Sequence, residues 1–416
     1  MFCSTLTIDF LIIILIKIIL TQIFCLSINF NINNMKSLKL ALVLFILIIS
    51  ANQNFALPRY ALRMGAQCID CHVDPSGGAM RNRGGWHYGL RVLPLVSPRE
   101  RDKDLPMDDM IGKNIQFGLD YRSQYIYSQQ LGKTTFQKMQ GSMYVNVKVM
   151  DSIDIYSNYD FVNADWTGFV IAHILPNSSY VKAGSFVPDY GVLLDDHTAY
   201  TRGGDLGYLF TTNTRQGLIF DPRYNVTGVE VGYNISDFGL FTASVGAPVS
   251  LNFQSDPAYT ASIHFSPVIA NKVALMFGGS FTNFSGPLIY TQVPSEHKVN
   301  MYGGFLGFGV DNFTLIGEYD IAQDYILTGT KSSAQMLEAS YVLFKGLEAV
   351  LRYDRFDPNI NVTNDDVSRL VAGFSFYPFS SIEIIPEYRF QFAHQQPNQP
   401  PLPKQDSALL QFHFYY

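Results

Sequence analysis

The chain has 416 residues, a formal charge of -6 and only 15% charged residues, so it lacks the basic surplus that a nucleic-acid partner would need. Its 25 Tyr and 32 Phe, with abundant Gly, favour strands over helices.

Residues 1–34 contain the apolar run Phe10 to Leu20. A second run opens at Met35 with two lysines, continues through an unbroken apolar core and ends in small residues near Ala51 and Ala56. The second run has every part of a secretory signal, so 35–56 is the expected signal peptide and 1–34 an upstream over-extension. The alternative, a membrane anchor at Phe10 to Leu26, would leave the second run redundant. Cys3 and Cys25 fall in this leader, which leaves Cys68 and Cys71 to the exported chain. A thiol pair in an oxidising compartment is expected to bridge or to be consumed by chemistry.

The stretch Cys68-Ile69-Asp70-Cys71-His72 sets two thiols one helical turn apart with an imidazole next to them. Both sulfurs can then reach the vinyl groups of one haem, with His72 as the proximal ligand of its iron. Zinc would need two more ligands, and the exported chain has no second Cys pair. A bare CxxC redox centre belongs in a βαβ context, which the sequence lacks. One covalent haem c is therefore the expected cofactor. His87 is the first candidate for the distal position, with Met80 and Met64 as rivals; packing by Trp86, His87 and Tyr88 is the simpler alternative. Glycines 77, 78, 84 and 85 fit either a chain wrapped around something flat or ordinary turns. The segment 57–113 is too small to stand alone and needs a staple or a wall to lean on.

From 114 to 416 the pattern is apolar and polar residues in alternation, the period of a strand. Ile115, Phe117, Leu119, Tyr121 and Tyr125 alternate with Gln116, Asp120, Arg122 and Gln124; Leu347, Ala349, Leu351 and Tyr353 alternate with Glu348, Arg352 and Asp354. About sixteen such segments are predicted: 114–130, 135–150, 152–163, 165–175, 178–190, 217–235, 238–248, 258–268, 271–284, 297–310, 312–325, 332–345, 347–357, 366–379, 381–395 and 405–416. Tight turns are expected at Asp151, Asn177, Ser236, Asp311, Gly346 and Ser380, with long loops between, notably Asp189 to Gln216. Short turns on one side and long loops on the other, an even strand count and a terminal aromatic at Tyr416 predict an all-β fold. It is an antiparallel transmembrane β-barrel of about sixteen strands in the bacterial outer membrane, preceded by a small c-type haem segment. Tyr125, Tyr127, Tyr377, Tyr388 and Phe390 are expected as interfacial girdles, and His264 and His413 as lumen-lining residues. A soluble β-sandwich or propeller shares the alternation; the export signal, the aromatics at strand ends and the terminal aromatic together favour the barrel.

A signal peptide, one CxxCH and about sixteen strands in this order resemble the fused monohaem cytochrome-porins of the outer membrane, including iron-oxidising outer-membrane cytochromes. The matching residues are Cys68, Cys71 and His72; the barrel matches as pattern. The resemblance implies electron transfer from an extracellular donor such as Fe(II) to a periplasmic carrier, in a protein surrounded by outer-membrane lipid, with Fe(II) oxidation as its only enzyme-like step. The connection Pro188 to Asp205 would be the third external loop, which in general porins folds into the lumen and narrows it. That loop carries Asp195, Asp196 and His197, an Fe(II) entry site if open and a hydrogen-bonded constriction if not. Two other functions are carried forward: a diffusion porin with a periplasmic haem-binding appendage, and a haem enzyme of peroxidase type.

Overall fold

The computed structural model describes residues 58–97, 108–194, 196, 198–204, 217–218, 225–248, 257–269, 273–286, 297–393 and 405–416. The leader, the signal peptide, Asp195 and His197 lie outside the described residues. Sixteen strands form the wall: β1 (Ile115–Ser128), β2 (Lys133–Met150), β3 (Ile153–Asp160), β4 (Asp165–Ala172), β5 (Tyr180–Phe186), β6 (Val226–Ile235), β7 (Gly239–Pro248) and β8 (Ala258–Phe265). They continue as β9 (Val273–Gly286), β10 (His297–Val310), β11 (Phe313–Gln323), β12 (Lys331–Phe344), β13 (Leu347–Asp357), β14 (Val367–Phe376), β15 (Ile382–Ala393) and β16 (Ser407–Tyr415). Each pairs antiparallel with the next, and β16 pairs back onto β1 from Ser407 opposite Ser128 to Tyr415 opposite Asp120. The sheet is closed and leaves no edge to satisfy in lipid.

Alternation decides which way the wall faces. Along β13, Glu348, Arg352 and Asp354 are buried while Leu351 and Tyr353 are exposed. Across the molecule Leu306 is 64% and Trp166 60% exposed, whereas Lys182, Asp320 and Asp354 are 0% exposed. Such a distribution inverts that of a water-soluble sandwich and suits an apolar solvent outside. Tyr377 is an exception to the expected girdle: it is buried, with its hydroxyl bonded to that of Tyr60 and donating to the Glu383 carboxylate. Its position just past the end of β14 turns it into the barrel mouth rather than toward lipid.

Seven short connections lie at one end, and residues with left-handed φ make several of them: Asn177 (56°), Ser236 (56°), Asp311 (49°) and Gly346 (88°). At the other end the connections lengthen only from β5 onward. Those at 129–132 and 161–164 are as short as the turns opposite.

The segment ahead of the barrel sits inside the short-turn mouth. It consists of α1 (Pro58–Met64), α2 (Cys68–Cys71), α3 (Arg83–His87) and a π-helical turn at Tyr88–Val92. Leu62 of α1 packs so closely on β10 that a Cβ at Gly309 would lie 2.3 Å from the Leu62 carbonyl oxygen. Gln67 donates to the Asp237 carbonyl at 2.9 Å, the Leu95 N–H donates to the Tyr377 carbonyl at 2.8 Å, and Val96 forms a parallel bridge with Phe379.

Candidate functional site

Gln67 and Asp70 cap α2 reciprocally, and the His72 N–H closes it on the Cys68 carbonyl at 2.8 Å. The chain then turns through Gly77 (φ +101°) and Gly78 (φ +68°) and returns antiparallel, with His72 opposite Arg81. Asn82 fastens this turn. Its side-chain amide donates to the Ile69 carbonyl at 2.6 Å and the His72 carbonyl at 3.2 Å, while its carbonyl accepts from the N–H groups of Gly84 and Gly85. Gly84 and Gly85 have a different cause from Gly77 and Gly78: a Cβ on either would lie 2.2 Å from the Asp70 or Cys71 carbonyl oxygen. The glycines thus serve a tight turn and a close helix contact, and neither pair requires a flat group.

Burial pushes the Cys68 thiol up to about 12, with Asp189 and Asp74 adding to it, and the Cys71 thiol up to about 11, with Asp70 adding. The two are not bridged to each other. A redox or nucleophilic pair would need the opposite shift, since the thiolate is the reactive form. Among the described residues no group of three or more His, Cys, Asp or Glu is placed to hold a metal ion.

Cys71 and His72 border a luminal cavity of about 470 Å³, together with Gly77, Gly78 and Leu193. Its volume is in the range of ordinary ligand sites. A Cβ at Gly77 would lie 3.3 Å from the Cys68 sulfur, so glycine keeps that sulfur uncrowded. Cys71 and His72 face that open space, and Cys68 stands on the same turn beside Gly77; a haem held covalently by Cys68 and Cys71 would take His72 as axial ligand. Met80 is buried with Val73 against Tyr156, Phe169 and Phe186, on the side of the two-stranded turn opposite to His72. His87 ends α3 edge-on to the Trp86 ring, at 5.1 Å between centroids. Met64 ends α1 and is exposed.

Charge docks the segment. Asp74 accepts from Lys182 of β5 at 2.7 Å, and Lys182 also pairs with Glu230 of β6 at 2.8 Å, all three buried. Arg63 pairs with Glu348, and Arg59 lies 3.8 Å from both Glu338 and Glu348. Arg81 covers the Tyr415 ring at 4.4 Å.

The described part of the third connection at the far end enters the lumen. Arg202 binds Glu318 at 2.6 Å, Tyr190 donates to Asp320 at 3.1 Å, and a Cβ at Gly191 would meet Glu318 at 1.8 Å. Asp196 accepts from Arg352 at 2.5 Å and Arg389 at 3.4 Å, so its charge is matched by guanidinium groups rather than open to a cation. His264 and His413 do face the lumen, but as members of clusters: His264 lies 3.1 Å from Asp189, and His413 lies between Glu383 at 2.8 Å and Asp120 at 3.0 Å. Sequence reasoning missed Lys182, Glu230, Glu318 and Arg369. Lys182 faces Glu230 and Arg369 faces Asp354 directly across adjacent strands, whereas Asp74 and Arg202 reach Lys182 and Glu318 from segments inside the lumen.

No protein-family model matches the chain, and no curated protein matches it in sequence. Solved structures do. OprB of Pseudomonas putida is similar at TM-score 0.56 and 10% identity, over 79% of this chain and 100% of that one. OmpT of Vibrio cholerae, an outer membrane protein in its trimer form, is similar at TM-score 0.52 and 13% identity, over 73% of this chain and 99% of that one. At such identities the likeness is one of fold: this chain is a closed, 16-stranded, porin-like β-barrel.

Proposed function

We propose that the chain holds one c-type haem on Cys68 and Cys71 inside the short-turn mouth of an outer-membrane barrel. It would serve electron transfer across that membrane, from an external donor such as Fe(II) to a periplasmic carrier. The observation that carries this reading is that Cys71 and His72 border the lumen rather than the outside of the wall. A bound haem supplies a reversible one-electron couple. The chain's own part is positional. Cys68 and Cys71 fix the edge of the group, Asn82 and the Arg81 pairing hold His72 in place, and the Asp74–Lys182–Glu230 cluster keeps the whole segment inside the mouth.

A second reading is a diffusion porin for small solutes, with the thiol-bearing segment as an appendage. Fold likeness backs it better than the first, because a porin-like barrel needs no cofactor. The charged lumen, with Arg352 and Arg389 around Asp196, also suits selective passage of ions. A haem-stained denaturing gel of the outer-membrane fraction, run beside single-channel recording, separates the two. Electron transfer requires staining in the wild type, its loss in Cys68→Ala and Cys71→Ala, and little conductance. An unstained wild type with open conductance sinks the first reading and leaves the porin.

A further inference from the structure

Six arginines border the luminal cavity: Arg59, Arg81, Arg122, Arg202, Arg352 and Arg389. Five are ion-paired, the shortest contacts being Arg59 with Glu338 at 3.8 Å, Arg122 with Asp120 at 3.1 Å, Arg202 with Glu318 at 2.6 Å, Arg352 with Asp196 at 2.5 Å and Arg389 with Glu387 at 2.9 Å. Arg81 is the exception: among the described residues no carboxylate stands within ion-pair reach of it. Its guanidinium rests on the Tyr415 ring at 4.4 Å, which supports one face of the cation and leaves the N–H edge for something else. A half-buried guanidinium, always charged and carrying five donors, is costly without a counter-charge.

The position of Arg81 narrows what that counter-charge is. The Val73 N–H donates to the Met80 carbonyl at 3.0 Å and the Asn82 N–H to the Cys71 carbonyl at 2.9 Å, bracketing His72 and Arg81. Those two therefore form the narrow, non-hydrogen-bonded kind of pair, with Cα atoms about 4.5 Å apart and side chains on one face. The unpaired cation thus stands beside the imidazole assigned to the iron, over the same cavity. A guanidinium fork matches a carboxylate in bidentate fashion. We infer that Arg81 is the carboxylate-binding residue of this cavity and, resting on the haem reading above, that its ligand is a haem propionate.

The test uses intact protein purified from outer membranes, as wild type, Arg81→Gln and Arg81→Lys, with heat-modifiable gel migration confirming that each barrel is folded. Haem staining and a redox-titrated visible spectrum are the readouts. Staining should be equal in all three, because thioether bonds hold the group. The midpoint potential should fall in Arg81→Gln, since losing a nearby cation favours the ferric state, and recover in part in Arg81→Lys. A merely structural role would change the melting temperature and not the potential, so an unchanged potential in stained, folded Arg81→Gln overturns the inference. If the wild type does not stain, the haem reading itself has failed, and succinate becomes the probe in single-channel recording. A succinate-dependent block lost in Arg81→Gln would keep Arg81 as a binding residue for a diffusible carboxylate and overturn the propionate; no succinate effect overturns both.

Discussion

The barrel wall and the segments inside it are held by different physics. Neighbouring strands of the wall are mostly neighbours in sequence, and their bonds are backbone bonds repeated along every pair. The lumen contents are held by a few buried charges between residues far apart: Asp74 to Lys182, Arg202 to Glu318, Asp196 to Arg352 and Arg63 to Glu348. A wall built this way spreads its stability over hundreds of small terms. Contents built the other way depend on single side chains, since removing one member of a buried pair leaves the other charged and desolvated.

The largest effect is expected at Lys182. Lys182→Met leaves Asp74 and Glu230 buried without their shared cation, a loss of roughly 3–5 kcal/mol. The barrel should still migrate as a folded, heat-modifiable band, while limited proteolysis begins to cut within 58–97 and conductance rises. If the band itself disappears, wall and contents are one cooperative unit and the contrast is wrong. Arg202→Leu is expected to follow at the lower end of the same roughly 3–5 kcal/mol range. Its loop keeps other holds, in Asp196 with Arg352 and in Arg369 donating to the Thr198 carbonyl at 2.8 Å. Single-channel recordings should show flickering rather than a stably wider pore.

The same contrast explains what could be read in advance. All sixteen strands were legible, because a period of two survives in every segment, and most ends agree within a few residues. The main misplacement is β6, predicted from 217 but formed at Val226–Ile235, since residues 217–218 belong to the inward loop where Leu218 is fully buried. Tyr377 was misread because an aromatic near a strand end looks the same whether it faces lipid or a tyrosine of another segment. That Cys68, Cys71 and His72 share one helical turn was legible, because the spacing is local. The partners of Asp74 and Asp196 were not, because ion pairing across a lumen leaves no spacing signal in the chain.

Gly85 tests the packing of the thiol-bearing turn independently of charge. A Cβ there would lie 2.2 Å from the Cys71 carbonyl oxygen, so Gly85→Ala must push α3 off α2. Overpacking of this kind costs about 1–3 kcal/mol. The expected outcome is a lower melting temperature for the segment, followed by protease susceptibility within 58–97, with the barrel band unchanged. Equal stability would mean that α2 and α3 separate freely and that the two glycines have no packing role.

The smallest effect is expected at Arg83, and it isolates the variable that matters. Arg83 and Asp108 form an ion pair at 3.6 Å of the same chemistry as Lys182 with Asp74, but the two side chains are 54% and 56% exposed. Water and salt screen such a pair, and each partner stays hydrated when the other is removed. Arg83→Ala should therefore leave melting, proteolysis and conductance indistinguishable from wild type, at low and at high salt. A loss comparable to that of Lys182→Met would show that what fixes the segment is its total charge rather than the few charges it buries.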